Sequence, residues 1–224
     1  MRFEVICSLL LAVVFATPAE ARKSKRRGFN FGTSLRMVEI EQPSSVLNHD
    51  NENSRTSSEF HSIKPFMGYA FGNVISIGAA AVIEEEIREG LIDGINETQK
   101  IERDVKSNFA GGSLFFKLLF GRVMFLETGV GYFQRNTNIS TMHIEEYPDS
   151  SFTGTQEEKK ITTAGPGYYL GGGVELPIAY GFFFTTNYRM NFYNLKPYKT
   201  EASLVKTGDE KSKEISFGLA HYFR

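Results

Sequence analysis

Residues 167–192, GYYLGGGVELPIAYGFFFTTNYRMNF, decide the fold of this chain. Even-numbered positions carry apolar and aromatic side chains such as Tyr168 and Phe192, whereas odd-numbered positions carry small, polar or charged ones, including Glu175 and Arg189. Alternation with period two on both sides of an aromatic-glycine turn predicts a long antiparallel hairpin. Because one face is aromatic and the other charged, the hairpin is typical of strands with lipid outside and a polar lumen inside.

The same alternation recurs along the chain and predicts eight strands. They cover about residues 28–37, 60–71, 75–84, 105–120, 124–136, 167–180, 184–192 and 214–223. With Lys117 turned inward, the outward faces hold no Asp, Glu, Lys or Arg, whose charge at the bilayer midplane would cost about 2–4 kcal/mol. We therefore predict an all-β fold, an eight-stranded antiparallel up-and-down transmembrane β-barrel. A secreted lipocalin-like barrel is the rival architecture, but it would have its aromatic side chains inside and its charges outside.

The connections between these strands alternate in length. Three are short, at 71–75, 120–124 and 180–184, and each consists of an aromatic residue, a glycine, two further residues and an apolar residue. We expect three-residue hairpin loops with a left-handed glycine. Four connections are long and polar, and they cover about residues 38–59, 85–104, 137–160 and 194–213. This asymmetry is typical of bacterial outer-membrane barrels, whose short turns lie on the periplasmic side.

The second long connection contains a separate apolar repeat. Ile83, Ile87, Leu91 and Ile95 recur every four residues. This spacing fits either a short amphipathic helix over the barrel mouth or an extension of the preceding strand that ends in glycine turns.

The N-terminus has the features of a secretory signal. Residues 1–21 combine an early arginine, an apolar run over 6–15 and a small-x-small cleavage site at Ala19–Ala21. A retained signal anchor is the alternative, although the apolar run is short for a transmembrane helix. Residues 22–27, RKSKRR, then form a basic periplasmic tail that we expect to be solvated, with a specific contact to anionic headgroups or cell-wall polymer as the alternative. Residues 28–224 form the barrel.

Charge, cysteine and histidine content argue against several kinds of site. The signal holds one basic and two acidic residues of the 25 and 26 in the chain, which leaves 24 of each sign and no charge argument for nucleic acid. The one cysteine, Cys7, lies in the signal, so the mature chain would have no thiol for disulfides, metal ligation or catalysis. The four histidines have no metal-ligand spacing, and we expect no metal and no cofactor.

The last strand carries a resemblance to a known group of proteins. Apolar residues occupy alternate positions of this strand, which ends on an aromatic residue. They are Ile215, Phe217, Leu219 and Phe223. Together with the strand count and the loop asymmetry, they make residues 28–224 resemble the small eight-stranded bacterial outer-membrane β-barrel proteins, which include the OmpA membrane domain, OmpX and OmpW. In that group this strand is the assembly signal. His221 and Arg224 depart from the pattern.

The resemblance also implies a location and partners. It implies export to the bacterial cell outer membrane and contact there with outer-membrane lipid and lipopolysaccharide. It implies transient contact with the barrel-assembly machinery and periplasmic chaperones during biogenesis. We expect a monomer that binds no nucleic acid.

Charged residues on the inward faces indicate what fills the lumen. If the three short turns share one register, Lys117 faces Glu127, Glu175 faces Arg189, and Lys64 lies diagonal to Glu84. Side chains alone can fill the interior of an eight-stranded barrel, so we interpret these six residues as a charge network that fills the lumen. A proton or ion path through the same residues is the alternative.

A filled lumen favours a structural or surface-interaction role through four long extracellular loops. A narrow channel for ions or small hydrophobic molecules, as similarity to OmpW would suggest, is the second hypothesis. The third, a lipid A-modifying enzyme, needs His with Ser and an acid. The nearest candidates are His61 with Ser62 and Glu84, and His143 with Asp149, Ser150 and Ser151. Because such residues are common in polar loops, we expect no catalytic residues and no enzyme.

Overall fold

The chain folds into one closed, antiparallel β-barrel. The computed structural model describes residues 26–41, 56–96, 99–121, 123–146, 152–200 and 208–223. Its strands are β1 (Gly28–Glu41), β2 (Thr56–Phe71), β3 (Ile75–Asn96), β4 (Gln99–Phe120), β5 (Met124–Glu146), β6 (Phe152–Ala179), β7 (Phe182–Thr200) and β8 (Gly208–Tyr222). Each strand pairs with the next one along the chain, and β1 pairs with β8 to close the ring. The predicted fold class and strand number are therefore confirmed.

The outer face of the barrel carries a continuous apolar band. Leu114 is 66% exposed and Val130 is 63% exposed, although both lie in the middle of long strands. On β4 the outward band runs from Phe120 to Ala110, which is roughly 33 Å of strand. At the strand tilt of about 40° found in such barrels, the band is about 25 Å tall. Within the described residues, no helix is long and apolar enough to cross a membrane.

Four strands continue far beyond this band at one end of the barrel. On β5, residues 133–146 lie past the last outward aromatic side chain, Tyr132, and amount to about 45 Å of strand. The β3–β4 ladder reaches Asn96 opposite Gln99, and the β5–β6 ladder reaches Glu146 opposite Phe152. We call this end the extended rim and the opposite end, which has the short turns, the turn rim.

The extended rim corrects the predicted loop boundaries. Much of 85–104 and 137–160 is strand, because backbone pairing continues after the outward apolar pattern has stopped. The repeat from Ile83 to Ile95 belongs to the strand extension of β3 and not to a helix. The segments that join the strands at this rim, at 42–55, 97–98, 147–151 and 201–207, lie outside the described residues.

Two of the three short turns have the predicted register, and the third does not. Phe71 pairs with Ile75 and Phe120 pairs with Met124, and Gly72 and Gly121 have positive φ angles of 64° and 56°. The third turn contains only two residues, Tyr180 and Gly181, with φ angles of 43° and 88°. Positive φ at both positions is characteristic of the tight type I′ hairpin turn.

A bulge in β6 changes the pairing further. The β6–β7 register shifts between Pro177 and Ala179, where proline offers no N–H to the ladder. Glu175 consequently lies opposite Thr185, and Arg189 lies opposite Gly171. The prediction that Glu175 faces Arg189 is therefore wrong by four positions along β6.

Candidate functional site: the barrel lumen

All six charged residues predicted for the lumen lie on the inner face of the barrel. Lys64, Glu84, Lys117, Glu127, Glu175 and Arg189 are between 0% and 6% exposed. Strand alternation positions them, because each occupies the face opposite to the apolar band. Burial of charged groups is costly unless they pair and form hydrogen bonds, and the lumen provides such partners for most of them.

Glu127 of β5 is the carboxylate at the centre of the lumen. Arg189 Nη2 donates to Glu127 Oε1 at 2.7 Å, and the Tyr169 hydroxyl donates to the same oxygen at 2.8 Å. Lys117 pairs with Glu127 across the β4–β5 ladder, as predicted, and its Nζ lies 3.9 Å from Glu127 Oε2. The Arg189 guanidinium also lies over the Tyr169 ring, 4.8 Å from its centroid. These contacts link four strands, β4 to β7, at the centre of the lumen.

Glu175 of β6 binds cations other than the predicted Arg189. Lys117 Nζ donates to Glu175 Oε1 at 2.7 Å, and the Tyr222 hydroxyl donates to Oε2 at 2.9 Å. Arg26 Nη1 lies 3.5 Å from the same Oε2, and Arg26 Nη2 donates to the Gly121 carbonyl at 2.9 Å. Arg26, which we expected in a solvated tail, is instead buried at the turn rim.

Arg36 of β1 is a central lumen residue outside the predicted charge network. Its Nη1 donates to Glu84 Oε2 and its Nη2 donates to Glu214 Oε2, both at 2.9 Å. Asn191 also donates to Glu214, at 3.2 Å, and Arg189 Nη1 lies 3.5 Å from Glu214 Oε1. The alternation places Arg36 and Glu214 inward, but only the β1–β8 register brings them together, and no turn connects those two strands.

Lys64 of β2 has the predicted diagonal neighbour, Glu84, but forms no ion pair with it. Ser62 pairs with Glu84, so Lys64 and Glu84 are diagonal neighbours as expected. The Glu84 carboxylate, however, is bound by Arg36. The Lys64 ammonium instead lies over the Tyr169 ring, 4.6 Å from its centroid.

Aromatic side chains close the lumen towards the extended rim. Phe109 and Phe133 are stacked with ring centroids 5.6 Å apart, and Tyr193 packs edge-on against both. The Arg135 guanidinium lies over the Phe109 ring and binds both carboxylate oxygens of Glu210. The sequence does not separate the two faces of β4 clearly, because apolar residues such as Phe109 and Leu114 occupy both of them. The burial of Phe109 and Phe133 shows that the lumen is partly apolar.

The geometry leaves little free space in the centre of the lumen. The cavity there has a volume of about 20 Å³, which is room for about one water-sized particle. Charged side chains of β2, β4, β5 and β7 and aromatic rings of β2, β4 and β5 line it. This arrangement links the strands across the lumen.

The first of the two catalytic groups considered, His61 with Ser62 and Glu84, is not assembled. His61 is exposed on the outer face and pairs with Glu85, whereas Ser62 and Glu84 are buried on the inner face. For the second group, Asp149, Ser150 and Ser151 lie outside the described residues. Within the described part of the chain, no three His, Cys, Asp or Glu side chains are arranged to hold a metal ion.

The predicted assembly-signal residues lie on the outer face of β8. They are Ile215, Phe217, Leu219 and, directly after the strand, Phe223. The Phe223 ring stacks on Phe31 at 5.4 Å. His221, the residue that departs from the aromatic pattern, takes part in the same cluster because its ring lies 4.2 Å from that of Phe182 and 4.5 Å from that of Phe223.

No protein-family model and no curated protein matches this sequence. Solved structures similar to the chain include Neisserial surface protein A, with 14% identity, a TM-score of 0.43 and coverage of 88% of this chain and 97% of the other. The outer membrane protein OprG from Pseudomonas aeruginosa has 10% identity, a TM-score of 0.41 and coverage of 91% and 99%. Ail, the attachment invasion locus protein of Yersinia pestis, has 10% identity, a TM-score of 0.39 and coverage of 89% and 99%. The function is therefore argued from the residues of this chain.

Proposed function

We propose that this chain is an integral outer-membrane β-barrel with a filled lumen that has a structural or surface-interaction role at the cell surface. The observation that carries the proposal is the buried network of ion pairs from Arg26 at the turn rim to Arg135 near the extended rim. Because ion pairs occupy the centre of this barrel, the polar surface of the extended rim is the part that remains for recognition.

The apolar band supports the membrane location. Large side chains such as Leu114 and Val130 are exposed on every side of a closed barrel whose charges lie inside. Soluble proteins rarely expose contiguous apolar patches larger than a few hundred Å². Lipid hydrocarbon is the solvent that matches this band, and lipopolysaccharide is the partner expected at its outer edge.

The extended rim supports a role at the cell surface. Residues 155–160 of β6, TQEEKK, are all exposed, and the neighbouring strands are polar as well. In our proposal this rim and its connections lie outside the cell, while the turn rim and both termini face the periplasm. The protein acts as a monomer, and β8 presents its assembly signal to the barrel-assembly machinery.

The orientation can be tested with an epitope inserted between Ser150 and Ser151. We expect antibody to label intact cells that carry this insertion. An insertion after Gly72, in the turn rim, should be labelled only after the outer membrane is opened. Labelling of the Gly72 insertion on intact cells would contradict the proposed orientation.

Planar-bilayer conductance tests the filled lumen. Refolded protein should give no reproducible steps under conditions in which a general porin does. Before the measurement, a difference in gel mobility between unheated and boiled samples should show that the barrel has refolded. Conductance steps of uniform size would overturn the proposal of a filled lumen. They would favour the alternative, a narrow channel, which the polar side chains of the lumen support.

A further inference from the structure

Lys64 is a buried cation without a carboxylate partner among the described residues. It is 6% exposed, and its one described contact is the Tyr169 ring. The other buried lumen cations, Arg26, Arg36, Lys117 and Arg189, each have a carboxylate within 4.0 Å. An unpaired ammonium in a low-dielectric interior is strongly unfavourable, so a further group should balance its charge.

The central cavity of about 20 Å³ lies beside Lys64 and has a cationic lining. Lys64, Lys117 and Arg189 are the cations of the lining and Glu127 is its carboxylate. Glu175 also binds Lys117, and Glu214 lies beside Arg189, so the uncompensated charge is that of Lys64. Ser34 and Thr185 add hydroxyl groups that can donate hydrogen bonds. Arg189 Nη1 is buried and forms no hydrogen bond among the described residues, although it lies 3.5 Å from Glu214 Oε1. The lining is therefore rich in donors and in positive charge.

We propose that this cavity is a binding site for one monoatomic anion of the halide class, with chloride as the physiological ion. A water molecule would satisfy donors but would leave the charge of Lys64 uncompensated. An oxyanion such as sulfate has several heavy atoms, whereas a cavity of this volume has room for about one. The bound halide completes the ion network, and this inference does not depend on the role of the outer surface.

The test is thermal unfolding of refolded protein in a chloride titration at constant ionic strength, with gluconate as the balancing anion. Because a ligand that binds only the folded state raises its apparent stability, we expect the Tm of the wild-type barrel to rise by about 3 °C and then saturate. Bromide should replace chloride, and sulfate should have no effect. An unchanged Tm in chloride would overturn the site, and it would indicate that Lys64 is neutral or hydrated.

Lys64→Met provides the matched variant because it has a similar length and no charge. Its Tm should be independent of chloride and, in gluconate, at least equal to that of the wild type, since removal of an unpaired buried charge relieves a penalty. Lys106→Met, which changes a half-exposed lysine on the outer face, should keep the chloride response. A chloride response that persists in Lys64→Met would overturn the proposal.

Crystals of the wild-type protein grown in bromide provide a test that does not depend on how the variants fold. An anomalous peak between Lys64 and Arg189 is the expected result. A clear map of the lumen without such a peak would overturn the proposal.

Discussion

At the residue scale, Glu127 and Arg189 form the ion pair at the centre of the lumen. Removal of either partner leaves the other charge buried without its closest counterion, and we expect Arg189→Met to lower the free energy of unfolding by about 3–5 kcal/mol. Glu127→Gln in the same background should restore part of this loss, so the two changes should be strongly non-additive. Urea unfolding in detergent micelles, arranged as a double-mutant cycle, measures this coupling.

Glu175→Gln provides the control for that cycle. Glu175 has no direct contact with Arg189 and binds Lys117 instead. Its coupling to Arg189→Met should therefore be clearly smaller than that of Glu127→Gln. An Arg189–Glu175 coupling as large as the Arg189–Glu127 coupling would mean that the two residues face each other across β6 and β7 after all.

Arg26 is the second residue whose role can be measured. Its guanidinium donates to the Gly121 and Met124 carbonyl oxygens as well as to Glu175, so Arg26→Met removes three buried or part-buried hydrogen bonds. We expect a loss of about 1–3 kcal/mol in the free energy of unfolding. The neighbouring Arg27 is exposed, and Arg27→Met should change stability by less than about 0.5 kcal/mol. Equal effects of the two substitutions would contradict the burial of Arg26.

At the scale of elements, the turns of the turn rim differ in how tightly the chain packs around them. Gly72 and Gly181 both have positive φ angles, but an added Cβ at Gly72 would meet no atom within 4 Å, whereas at Gly181 it would lie 2.7 Å from the Tyr222 carbonyl oxygen. Gly72→Ala should cost roughly 1 kcal/mol for the left-handed backbone alone. Gly181→Ala should cost roughly 2 kcal/mol or more, since the end of β8 must also move.

Urea unfolding of the two alanine variants in the same micelles compares these turns directly. Both variants should give the same gel-mobility shift as the wild type, which serves as the folding control. If Gly72→Ala proved the more destabilising of the two, the close contact between the last turn and β8 would be refuted.

At the scale of the whole molecule, the apolar band predicts how the barrel responds to charge on its outer face. Leu114→Arg introduces a cation within the band and should cost about 2–4 kcal/mol in lipid vesicles. Asn108→Arg lies on the same face of the same strand but towards the extended rim, where the cost should fall to about 0–1 kcal/mol. Similar costs at the two positions, measured by urea unfolding in vesicles, would contradict the location of the band.

The sequence was sufficient for the features that repeat along the chain. Alternation assigns each strand its two faces, and the two three-residue turns set the β2–β3 and β4–β5 registers, including the Lys117–Glu127 pairing. The predicted register of the third turn was wrong. Tyr180-Gly181 resembles the other turns in composition, but the turn has only two residues and a bulge at Pro177 shifts the register further. One aromatic-glycine pattern can therefore serve two turn geometries.

Features that depend on closure could not be predicted. The Arg36–Glu214 contact joins β1 to β8, and no connection of fixed length sets the register of that pair. The burial of Arg26 depends on where the chain enters the finished barrel, and a basic hexapeptide gives no sign of this. The extensions of β4, β5 and β6 were not predicted because the apolar pattern that identifies lipid-facing strands ends before those strands do. For β3, the repeat from Ile83 to Ile95 left a strand extension open as one of two alternatives.

The position of Arg36 also has a consequence for the order of events in folding. Arg36 and Glu214 are 178 residues apart in sequence, so their bond forms only when the last strand meets the first. Contacts of such long range form slowly, and until then Arg36 would be left with part of its charge uncompensated inside a membrane. We therefore expect insertion into lipid before the seam closes to be penalised, so that ring closure and insertion are coupled.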